Sequence, residues 1–346
     1  EAAMLARSML ARCVRARPIV QSVRAAVCAY ARADLRAFST PASLVKELRD
    51  KTGSPMMDCK RALEACNGDM TTAMDWLRKK GIASAAKKIG RRSADGLVAV
   101  KLQDDKKSGA VVELNSETDF VAKNPIFKKL VEDICLVRLK TKSDMDVEDF
   151  KKETVASGPK STSAVSIDEA VKEMVATVGE NCQLRRAQKL EVSEGCIVKY
   201  IHTPMGDDVG KLGVLVALES SLSAKDLESF GMELAMHIAA ASPKFNTVED
   251  IPQAAIEKES EIFRAQGAES GKPKDVVERM IAGRLKKWHE EVVLHEQDYL
   301  IVGQNEKKKK VKDVIESASK TLGKPIKVKG FLRIKCGDES PEKAAE

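Results

Sequence analysis

Apolar residues in this chain repeat with two different periods, and the change of period divides it. Between residues 42 and 82 three short runs have helical spacing. Leu44, Val45 and Leu48 share one stripe, with Ser43 placed to cap and Gly53 to stop. Met57, Ala62, Leu63 and Cys66 follow Ser54-Pro55 and end at Asn67-Gly68. Ala73, Met74, Trp76 and Leu77 follow Asp69 and run to Gly81. Three helices in so short a span predict a small bundle, and the small, basic stretch 83–94 reads as a linker.

From Gly96 the period becomes two. Val98, Val100 and Leu102 predict one strand, and Ala110, Val112 and Leu114 a second across a polar loop. Asn124-Pro125 then opens a helix with Phe127, Leu130, Val131, Ile134 and Val137 on one stripe. The order recurs about a hundred residues later. Strands at 195–202 and 213–218 flank a Gly/Asp-rich loop from Thr203 to Leu212, and a helix spans about 226–241. This is an architectural duplication. A polar stretch, 141–166, and a helix at 167–178 lie between the copies. Residues 254–292 predict a helical hairpin with its tip at Gly271-Lys272-Pro273. Further strands are expected at 299–302 and 326–334, around a helix at 311–322. The expected class is α+β: a three-helix bundle (42–82), then two antiparallel-sheet-plus-helices subdomains (95–190 and 191–336), the second carrying the inserted arm.

Charge changes the picture only at one end. The chain has 59 basic and 52 acidic residues, a net of +7. Residues 1–40 hold seven Arg, no Lys, and only Glu1 and Asp34 as acids, which leaves 52 basic against 50 acidic residues beyond them. An Arg- and Ala-rich, acid-poor leader has the composition of a mitochondrial transit peptide, processed near residue 40. The near-neutral remainder removes most support for direct nucleic-acid binding. No apolar run reaches the roughly 18 residues that span a bilayer, so no membrane role is expected. The run Lys307–Lys310 reads as solvated surface. No two of the eight Cys form C-x-x-C, and free, mostly buried thiols are expected.

No catalytic or cofactor fingerprint emerges. Gly206 to Leu212 has the wrong spacing for a phosphate loop, and His289 and His295 stand six apart, off a common helical face. No metal or cofactor is expected, and protein contact is the expected mode of action.

Three ordered segments resemble elongation factor Ts: Leu44 to Asp69, Thr118-Asp119-Phe120-Val121-Ala122-Lys123, and Met236 to Ala240 followed by Ser270 to Pro273. The resemblance covers about residues 42–336. It implies a guanine-nucleotide exchange factor that binds elongation factor Tu, here the mitochondrial protein in the matrix, and speeds GDP release. It implies that Asp119 and Phe120 form a wedge into the partner. On their own residues, Asp119 reads equally well as a turn or cap and Phe120 as core. Met56, Met57 and Lys60 match bundle positions that touch the same partner, with one of the two methionines expected in the bundle core. His202 matches a contact at a strand end. Little chain follows Ile334, where bacterial members are expected to have a further helical module. The bundle also resembles a ubiquitin-associated (UBA) domain, which leaves a ubiquitin-binding adaptor as the alternative.

Overall fold

The computed structural model describes residues 41–338, apart from 87, 89, 161–162, 269–273 and 302–308. The leader, the arm tip and the first half of the lysine run lie outside the described residues. Two compact units divide after Lys79.

The first unit contains helices α1 (Ala42–Thr52), α2 (Met56–Ala65) and most of α3 (Met70–Ala86). Val45 and Leu48 meet Cys59, Ala62, Leu63, Ala73 and Leu77 in a small core. Ser43 lies inside the first turn of α1, so Pro41 takes the cap position instead. Gly53 closes α1 in the left-handed region, at φ 61°. The Asp69 carboxylate accepts from the Thr72 backbone at 3.0 Å and starts α3. That helix does not stop at Gly81. A Cβ there would stand 2.6 Å from the Ala176 Cβ, so this glycine permits a close approach.

The second unit is α+β. Its strands are β1 (Asp95–Leu102), β2 (Ser108–Ser116), the short pair β3 (Thr154–Val155) and β4 (Val165–Ser166), β5 (Cys182–Glu191), β6 (Cys196–Pro204), β7 (Val209–Glu219) and β8 (Lys327–Lys335). Its helices are α4 (Asp119–Lys123), α5 (Pro125–Lys140), α6 (Val147–Phe150), α7 (Ile167–Val178), α8 (Ala224–Ala241), the arm helices α9 (Gln253–Ala268) and α10 (Lys274–Val292), and α11 (Val311–Leu322). The duplicated hairpins do not form separate sheets. They join through a short antiparallel contact, Val98 opposite Gly210 and Ala99 opposite Val209, into one six-stranded sheet. Its order is β5-β2-β1-β7-β6, with β8 pairing β7 beyond the stretch that β1 covers.

Three cores explain why the alternation in β1 and β7 is blurred. Leu97, Ala99 and Val112 pack with Phe127, Val131 and Ile134 of α5 and Met174 of α7. Val214, Val216 and Leu218 pack with Leu227, Leu234 and Ile238 of α8 and Ile315 of α11. The intervening residues Val98, Val100 and Val111 meet Ile197, Leu215, Ala217 and Ile334 in a third cluster. The strands at the centre are therefore buried on both faces, which favours near-continuous apolar runs.

Three expectations change. The strand at 182–191 carries no clean alternation and is an edge strand against β2, which the sequence reading left out. Residues 299–301 form no strand; Asp298 makes only an isolated bridge to Lys310, and Tyr299 is buried in the second core. The Thr203–Leu212 loop shrinks to a turn, because β6 runs to Pro204 and β7 starts at Val209. The arm helices pack side by side, with the Arg284 guanidinium donating to Gln266 at 2.5 Å. All six cysteines after residue 40 are free, and burial pushes the Cys135 and Cys182 thiols up to about 12.

Candidate partner-contact site

The segment from Ser116 to Asn124 links β2 to α5 and carries the most exposed aromatic ring among the described residues. Phe120 is 78% exposed. It sits on α4, a helix of five residues, too short to be stable on its own. Val121 and Ala122 on the same helix are buried in the first core. Asp119 donates nothing to the core; its carboxylate accepts from Lys123 Nζ at 2.6 Å. That hydrogen bond holds the Asp119 carboxyl below the usual carboxylate range, helped by the more distant Lys211 ammonium. Lys123 also stands over the Phe120 ring, 5.7 Å from its centroid. The tip thus presents an apolar ring flanked by a fixed charge pair.

Behind the tip lies a set of bonds that the sequence reading did not find. Glu180 follows Gly179, the left-handed C-cap of α7. Its carboxylate accepts from the Thr118 backbone N–H at 3.0 Å and from the Thr118 hydroxyl at 2.8 Å. In return the Glu117 carboxylate accepts from the Asn181 backbone N–H at 2.6 Å. The Ser116 hydroxyl donates to the Thr118 carbonyl at 2.9 Å. The only sequence signal is a glycine stop followed by two polar residues.

His202 is exposed near the end of β6, its Nδ1 3.1 Å from the Tyr200 hydroxyl. Its register partner is Leu212, next to the Lys211 whose charge acts on Asp119. Lys211 itself donates to Asp95 Oδ1 at 3.1 Å and to the Gly96 carbonyl at 3.0 Å. The turn after β6 is fastened to the first half of the unit: Lys101 donates to Asp208 at 2.6 Å and Lys128 to the Met205 carbonyl at 2.6 Å. Lys199 joins Asp208 as well. Burial opposes the effect, yet the two ammonium groups hold the Asp208 carboxyl below its ordinary range.

In the bundle, Met56 and Met57 are 46% and 58% exposed. Neither is core, against the expectation for one of them, because Cys59, Ala62 and Leu63 supply the inward face of α2. Lys60, one turn on, pairs loosely with Glu64 at 3.8 Å. The three side chains share an exposed face of α2 at helical spacing. His237 is buried in α8, with Nε2 3.1 Å from Gln297 Oε1, and Nδ1 accepts from the Leu300 N–H at 3.3 Å.

Residues 117–338 match the model of the family described as Elongation factor TS. Elongation factor Ts of Rhodospirillum rubrum is 43% identical over 297 residues, covering 86% of this chain and 92% of that protein. The Brucella anthropi protein of the same name is 46% identical over 301 residues, covering 87% and 94%. That of Hyphomonas neptunium is 46% identical over 305 residues, covering 88% and 94%. Matches of this identity and extent, together with a family model that spans most of the mixed unit, mean that the chain belongs to the elongation factor Ts family.

Proposed function

We infer that this protein accelerates GDP release from elongation factor Tu, in the mitochondrial matrix, by pressing the Asp119–Phe120 tip against the partner near its nucleotide and magnesium. The observation that carries this reading is an almost fully exposed phenylalanine held on a clamped, five-residue helix. Burying such a ring in a partner is worth about 1.5–3 kcal/mol, while its exposure gives the free protein nothing. An exchange factor must bind the nucleotide-free partner more tightly than the nucleotide-bound one; by linkage, nucleotide then weakens the factor's own binding to the same extent. A rigid tip suits this, because a soft one would yield to the partner instead of displacing its phosphate-binding contacts.

Met56, Met57 and Lys60 on α2 and His202 on β6 serve as accessory contacts. Adjacent exposed methionines make an adaptable apolar patch, and the bundle that bears them is UBA-like in this reading. The acid-poor leader supports the location, and import of a reporter fused to residues 1–40 into isolated mitochondria tests it. Stopped-flow release of fluorescent GDP from elongation factor Tu tests the function. The Asp119→Ala, Phe120→Ala double variant is expected to lose most of the acceleration. No acceleration by the parent chain sinks the exchange reading; full activity in the double variant sinks only the tip. The paired exposed methionines also favour ubiquitin as a ligand of the bundle, and a ubiquitin pull-down separates that reading from this one.

A further inference from the structure

We propose that Glu180 is a positioning residue for exchange: its carboxylate grips Thr118 and thereby fixes where the Phe120 ring stands. This rests on the exchange reading of the tip. Neither Asp119 nor Phe120 is anchored by burial, and the Lys123 contacts lie within α4, so they move with the helix and cannot orient it. Its C-terminal side is fixed by Val121 and Ala122 in the first core, and by α5, which begins one residue after Asn124 ends the short helix. Its N-terminal side depends on Thr118. As the residue before the helix, Thr118 is placed to cap it, yet its side chain makes no capping bond. The hydroxyl turns outward to Glu180 instead, and the Thr118 N–H follows it to the other oxygen.

The mount on the other side is stiff. Asn181 and Cys182, the next two residues, are 3% and 5% exposed, and Cys182 pairs with Ser116 in the β2–β5 ladder. The reverse bond from the Asn181 N–H to Glu117 closes a reciprocal clamp across the same two dipeptides. Among the described residues Glu180 takes no lysine or arginine partner; both of its oxygens face Thr118. A charge-assisted, two-point grip of this kind sets position as well as energy. One anchor on each side of a single helical turn leaves the exposed ring little freedom to tilt, as effective contact in a transition state requires.

The test is a two-by-two cycle in the full-length chain, with Glu180→Ala made both in the parent and in Phe120→Ala. Release of fluorescent GDP from elongation factor Tu is followed over a range of chain concentrations. In the parent, Glu180→Ala is expected to lower the maximal release rate about tenfold and to shift the half-saturating concentration less than about threefold. In the Phe120→Ala background the same change is expected to matter less than about twofold, since there is no ring left to position. Thr118→Ser should keep the parent rate, whereas Thr118→Val should lose several-fold with Glu180 intact. That pair carries the test if Glu180→Ala unfolds. Equal losses in both backgrounds, a loss confined to half-saturation, or no loss at all overturns the proposal while leaving the exchange reading standing. A parent chain that does not accelerate release overturns both.

Discussion

The two halves of the mixed unit start from one plan and diverge at a single joint. Each has an antiparallel hairpin followed by a helix on its outer face: β1–β2 with α5, and β6–β7 with α8. In the second half the joint is short. Ser220 is buried, and Ser223 caps α8 through its hydroxyl to the Asp226 N–H at 3.4 Å. In the first half the joint runs from Glu117 to Asn124 and contains α4, which lifts Phe120 into solvent. The apolar pattern that repeats builds the scaffold; the extra residues between strand and helix put an aromatic ring in solvent. The halves differ in histidine content too, since all four lie after residue 191.

The largest expected effect separates scaffold from tip within the first half. Phe127 is fully buried, seven positions beyond Phe120. Phe127→Ala is expected to cost about 3–5 kcal/mol of unfolding free energy in urea titrations. Phe120→Ala should stay within about 0.5 kcal/mol while losing exchange activity. A large stability loss at Phe120 would mean that the ring is core after all.

The seam between the halves comes next. A Cβ on Gly213 would lie 2.4 Å from Val100 Cγ2 and 2.9 Å from Val98 Cγ1. Gly213→Ala therefore overpacks the shared third cluster and is expected to cost about 1–3 kcal/mol, with faster amide exchange in both β1 and β7. Protection lost in β7 alone would contradict a common core.

Acid gives the smallest and most one-sided effect. Burial holds the His237 and His295 imidazoles below the ordinary value of 6.5. The unfolded chain then binds more protons than the folded one, so stability is full above about pH 6.5 and falls as pH drops through that value. The slope is at most about 1.4 kcal/mol per pH unit for each imidazole. At His237 protonation would in addition set an Nδ1 proton against the Leu300 N–H. Amide exchange at pH 5.5 and 7.5 should show the second half loosening first, and His237→Gln should flatten the response. Uniform loosening of both halves would place the sensitive groups elsewhere.

Much of the scaffold was legible in the residues. Gly53 as the end of α1, Asn124-Pro125 as the start of α5 and the span of α7 all follow from local chemistry, since caps and helix periods act within one or two turns. The edge strand β5 was not, because Arg185, Arg186 and Lys189 interrupt any alternation. Arg186 is satisfied by distant groups, Glu113 Oε2 at 2.5 Å and the Lys335 carbonyl at 2.7 Å. The expectation that one of Met56 and Met57 is core fails because two adjacent apolar residues near a helix start do not say which way the stripe faces until the inward positions are filled.

By itself the sequence determined where most helices begin and end, that the folded part is nearly neutral, and that a Thr-Asp-Phe segment stands between a strand and a helix. Each depends on interactions within a few residues or on composition. Only the tertiary structure decided that two hairpins share one sheet, that Phe120 faces solvent and not the core, and that Glu180 holds the segment in place. Those outcomes depend on contacts between residues some 60 to 110 positions apart, and local spacing carries no information about which distant group completes a hydrogen bond or a buried face.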